Sequence, residues 1–133
     1  MAELVEEIQS ACDEKGQDSS SVLSHLDEVV GQREVLSFCV SQGPLPSFPA
    51  TLVDIFLLTG SAIINVEITG RGVSWGVIKL DHLSSISMRP GKDDFLSFGF
   101  ETTAGHTWGL EFRRGNERDA RDFVEAVKEH WLS

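Results

Sequence analysis

The sequence predicts a mainly β, α+β fold: a seven-stranded antiparallel barrel or sandwich capped by a C-terminal helix and preceded by two short N-terminal helices. Three observations predict it. Ala120, Phe123, Val124, Val127 and Trp131 recur at helical spacing and form a single apolar stripe within 116–133. From Glu34 to Arg114 apolar residues mostly alternate with polar or small ones, in short runs bounded by turn signals. Ahead of Glu34, two short stripes at helical period each end at a glycine. Strands followed by a helix whose stripe ends in Trp need that helix laid on the sheet, and a small twisted barrel has an open end for it to close.

The first helix carries Leu4, Val5, Ile8, Ala11 and Cys12, and Gly16 stops it. Asp18 and the serines after it supply N-caps for a second, whose stripe is Val22, Leu23, Leu26, Val29 and Val30 with Gly31 as the C-cap. Helices this short are marginal alone, so both stripes must dock, either on this chain's sheet or on another subunit. The two helices form an acidic appendage over residues 1–33, and 34–133 form the main domain.

Leu36, Phe38 and Val40 open the strand region. Three prolines within Gly43–Pro49 make a stiff loop that carries Phe48 with no periodic partner. Leu45 and Phe48 are therefore the candidate partner-binding residues, the alternative for Phe48 being a fold back over the open end of the core. A hairpin follows, 51–58 and 62–68 around Thr59-Gly60-Ser61, with Asn65 and Glu67 opposite Ile64, Val66 and Ile68, which predicts one wet face. Val73, Trp75 and Val77 share one side of the next strand, and Gly76 marks a bulge or a close approach. A short strand at 85–88 precedes the last hairpin, 95–101 with 106–113, where Trp108, Leu110 and Phe112 alternate strictly. On the final helix, Glu117/Arg121, Arg118/Asp122 and Arg121/Glu125 stand at i, i+4, and Asn116 with Asp119 resembles a cap.

With these strands in place the chain resembles a bacterial pleckstrin-homology-like (PH/GRAM-type) domain over about residues 34–132. The stretches that carry the resemblance are Ile55-Phe-Leu-Leu-Thr59-Gly-Ser-Ala-Ile63-Ile64 and Ile78-Lys-Leu80-Asp-His-Leu83-Ser-Ser-Ile86. The first hairpin turn departs from the family, with Gly60-Ser61 where Asp or Asn and basic residues are usual. Family members that bind phosphoinositides gather Lys and Arg near the first strands, whereas the loop from Ser41 to Ala50 holds no basic residue. The resemblance thus implies a peptide- or subunit-docking scaffold rather than an inositol-lipid reader.

Charge points the same way. The net charge is −10 over 133 residues; residues 1–34 hold nine acids against two bases. Such a field repels nucleic acid and anionic membrane surfaces and attracts basic partners. No apolar run reaches the ~18 residues of a membrane span, and the acidic N-terminus is unlike a secretory signal. Cys12 and Cys39 lie among apolar periodic residues, as two buried thiols of a reducing compartment would, which predicts a cytoplasmic protein.

Catalytic signals are missing. His25, His82, His106 and His130 have no metal-ligand spacing, no nucleophile elbow or phosphate loop occurs, and Asp93-Asp94 reads as a turn. The expectation is no enzyme, no metal and no cofactor. It is instead a non-catalytic binding or scaffold module for a protein partner or for self-assembly into a homo-oligomer. The alternative is an acidic secretion-chaperone-like protein holding a basic or hydrophobic client, against which counts the lack of a helix between 34 and 114.

Overall fold

A computed structural model describes residues 2–92 and 94–133. Seven antiparallel strands form two sheets. The first is β1 (Ser37–Gln42), β2 (Thr51–Leu58), β3 (Ala62–Thr69) and β4 (Gly72–Lys79), hydrogen-bonded in that order. The second is β5 (Leu83–Pro90), β6 (Phe95–Thr102) and β7 (Thr107–Arg113), and a single 3-10 turn, Leu80–His82, leads into it. Helices α1 (Ala2–Glu14) and α2 (Ser19–Val30) precede the strands, and α3 (Glu117–Trp131) follows them. Each of the expected strands is present, and the one expected at 85–88 extends over eight residues.

The inner faces of both sheets meet α3. Phe56, Phe100 and Phe123, from β2, β6 and α3, pack with ring centroids 6.1–6.4 Å apart. Ala120, Phe123, Val124 and Val127 are the buried stripe of α3, as their spacing predicts. Burying one Phe and two Val side chains contributes roughly 5–8 kcal/mol, so the helix is held by its packing. Trp131 is half-buried at the end of that stripe, and its indole N–H donates to the Leu83 carbonyl at 3.1 Å.

A second core lies on the outer face of the first sheet. Leu4, Ile8, Ala11, Cys12, Val22, Leu26 and Val30 from the helices bury Val53, Ile55, Leu57, Ile64, Val66 and Ile68. The docking partner of the N-terminal helices is therefore this chain's own sheet, and the packing crosses the expected boundary at 33/34. Asp18 caps α2 by accepting the Ser20 N–H at 3.0 Å, and Gly31 closes it at φ 60, a conformation that favours glycine.

The covered outer face corrects the wet face expected of β3. Asn65 and Glu67 are half-buried on the inner face with Ile63, Asn65 directly across from Phe56, and Ile64, Val66 and Ile68 lie beneath the helices. β1 is shifted too: Cys39 and Ser41 are the buried residues, whereas Leu36 is 40% exposed. Gly76 pairs regularly with Asn65, so it is not a bulge; a Cβ there would stand 3.1 Å from the Trp108 ring, which makes it a close approach.

Candidate functional site

The proline loop is tied down rather than free. Gly43 passes so close to β2 that a Cβ would fall 1.8 Å from the Thr51 carbonyl oxygen. The Lys15 ammonium donates to the Gly43 carbonyl at 2.5 Å. Ser47 donates its N–H and hydroxyl to the Glu111 carboxylate at 2.9 and 3.1 Å, and the Ser41 hydroxyl donates to the Glu111 carbonyl at 2.8 Å. Leu45 is consequently buried at 1% exposure and is not a surface anchor, which corrects its expected role. Phe48, 39% exposed, lies on the outer face of β7 against Gly109, not over the open end of the core. It forms one wall of a shallow shelf of about 320 Å³ over Gly99 and Gly109, with Arg89 and Lys92 at the rim.

A second concavity has no counterpart among the sequence-based expectations. β5 is an edge strand of its sheet, with β6 on one side and, among the described residues, no strand on the other. α3 runs antiparallel beside it: Trp131 meets Leu83, and the Arg121 guanidinium lies 3.7 Å from the Met88 sulfur. Ten residues of helix rise about 15 Å and five residues of strand about 17 Å, so helix and strand keep step along this length. Between them is a groove of about 410 Å³, with Ile86, Met88, Phe98 and Val124 as its apolar lining and Arg121, Glu125 and Lys128 at its rim. Met88 is 55% exposed there.

The helix charges differ from the i, i+4 pattern. Glu125 pairs with Lys128 at 2.7 Å, Asn116 makes no side-chain capping bond, and the Glu117 carboxylate accepts the N–H of Gly115 ahead of the helix. With both expected partners engaged, Arg121 reaches across to β5, and among the described residues no carboxylate stands at ion-pair distance from it. The sequence signal for this groove was weak: the Ser-Ser-Ile-Ser-Met alternation of β5 reads as a strand, but only its position at a sheet edge exposes it.

Asp54 is the other residue that the chain order concealed. It is 4% exposed, inside the barrel, with the Asn65 amide nitrogen 2.6 Å from its carboxylate. Burial pushes its pKa up to about 7, the Asn65 hydrogen bond opposes this, and the carboxylates of Glu67 and Glu111 add to the rise. A single Asp inside the otherwise apolar Leu52–Leu58 run was the available clue.

The other candidate chemistry is dispersed. The rings of His25 and His130 each face the carbonyl four residues earlier on their own helix. Asp93 of the Asp93-Asp94 pair lies outside the described residues. Both thiols are buried, and burial pushes their pKa values up, which disfavours the reactive thiolate. No helix of the described residues is long and apolar enough to cross a membrane.

Fold and surface together define a two-sheet α+β domain, plugged by a helix, with a groove along one edge strand. The C-terminal domain of an unknown protein from Leishmania infantum has a similar fold, with a TM-score of 0.60 and 13% identity over 87% of this chain and 100% of that one. No family model matches the chain, and no curated protein does either.

Proposed function

We propose that this chain is a non-catalytic, PH-like docking module that holds a protein partner as an extended segment added to β5. The observation that carries this reading is the eight-residue strand β5, unpaired on one side and flanked by the apolar groove against α3. An edge strand offers a row of backbone donors and acceptors, and an adjacent groove takes every second side chain of what pairs with it. Inositol lipid is a poor ligand for the module, because the loop from Ser41 to Ala50 has no base and closes onto Glu111. The buried, unpaired thiols Cys12 and Cys39 favour a cytoplasmic setting.

Selection from a random dodecapeptide library displayed on phage tests the reading. Enriched peptides should slow amide exchange within 84–89 and leave β4 unchanged; no enrichment, or protection elsewhere only, refutes strand addition at β5.

Self-assembly has its own observation. Trp75 and Val77, 52% and 45% exposed, lie on the outer face of β4, an edge strand of the first sheet. Light scattering of the full chain and of Trp75→Ser distinguishes the two readings: a dimer that the substitution dissociates supports assembly through β4, and a monomer at high micromolar concentration removes it.

A further inference from the structure

We infer that the β5 groove selects a segment bearing one carboxylate among alternating apolar residues, and that Arg121 is the selecting residue. This rests on the strand-addition reading above and narrows its partner. The groove lining is apolar, which suits every second side chain of an added strand. Its rim charges are Arg121, Lys128 and Glu125, and the last two neutralise each other at 2.7 Å. What remains is one guanidinium, laid on the Met88 thioether; the Glu117 carboxylate one turn back feels its charge, but among the described residues no carboxylate reaches it at ion-pair distance. β5 itself brings no acid: Leu83–Pro90 contains Arg89 and no Asp or Glu.

The location is exceptional within the chain's field. A molecule of net charge −10 repels polyanions at long range, yet at this groove it presents an available cation above a partly desolvated floor. A segment with one carboxylate satisfies both conditions: the local pair forms, and the long-range repulsion stays small. A guanidinium also takes a carboxylate through two parallel N–H donors, which fixes the register of the added strand as well as its affinity. A basic segment meets the opposite balance, attracted from afar and opposed by Arg121 at contact.

The same phage selection, read for composition, tests this inference, followed by fluorescence anisotropy with the best synthetic peptide in its glutamate and glutamine forms. The expected result is enrichment of one Asp or Glu among apolar alternates, and glutamate binding about tenfold tighter than glutamine at low salt. Arg121→Gln should remove that preference and leave the glutamine peptide within about twofold, whereas Arg121→Lys should retain part of it. Thermal unfolding of both variants checks that the fold is unchanged. Peptides that bind β5 without acid enrichment, or a glutamate preference that survives in Arg121→Gln, overturn the inference while the docking role stands. A library that yields no binder overturns both.

Discussion

Asp54→Asn should stabilise the protein at alkaline pH and do little at acidic pH. The carboxyl is buried at 4% exposure and its pKa rises from 3.8 to about 7. The folded chain therefore holds this proton more tightly than the unfolded chain. Stability from the group is fully present below the unfolded pKa of 3.8, and it is lost as pH climbs from there to about 7. At about 1.4 kcal/mol per pH unit, the loss amounts to roughly 4 kcal/mol at pH 8 as an upper figure. Asparagine keeps the side-chain shape and an oxygen for the Asn65 amide, and it carries no charge to desolvate. The variant should exceed the native chain by about 1–3 kcal/mol at pH 8 and fall within about 1 kcal/mol of it near pH 4. Urea unfolding at several pH values, followed by the fluorescence of the three tryptophans, measures both curves. Parallel pH profiles for the native chain and the Asp54→Asn variant would refute the buried, proton-holding carboxyl.

Two further outcomes follow from the cores. Removing residues 1–31 strips the cover from Val53, Ile55, Leu57, Ile64, Val66 and Ile68, each 2% exposed or less. At about 1.5–3 kcal/mol per side chain the loss is comparable to a typical stability of about 5–15 kcal/mol, so the truncated chain should show no cooperative unfolding transition; a sharp transition would show the helices to be dispensable. Gly76→Val directs methyl groups at the Trp108 ring, 3.1 Å from the position of the first added carbon, and should cost about 1–3 kcal/mol in urea unfolding, with an unchanged midpoint as the contrary result.

Much of the architecture was legible because periodicity is a local property. The α3 stripe, the Asp18 and Gly31 caps and the strict alternation of Trp108, Leu110 and Phe112 each need only neighbours in the chain to be read. Alternation separates two faces without saying which face meets solvent. That is why Asn65 and Glu67, polar residues on one side of β3, suggested a wet face and turned out to point into the barrel. The choice was made by α1 and α2, which arrive from the other end of the chain to cover Ile64, Val66 and Ile68.

Surface sites followed the same division. Phe48 stands out in the sequence as a residue without a periodic partner, but Leu45 beside it was not separable from it there, because its burial depends on Glu111 drawing Ser47 inward from far along the chain. The sequence by itself determined the elements, their order and the amphipathic face of α3, since these are set by propensity and spacing within a few residues. Only the tertiary structure decided that β5 lies at an edge, that α3 runs beside it and that Arg121 faces the groove between them. Each of these joins residues tens of positions apart, and the hydrophobic effect that packs them specifies burial without naming the neighbour.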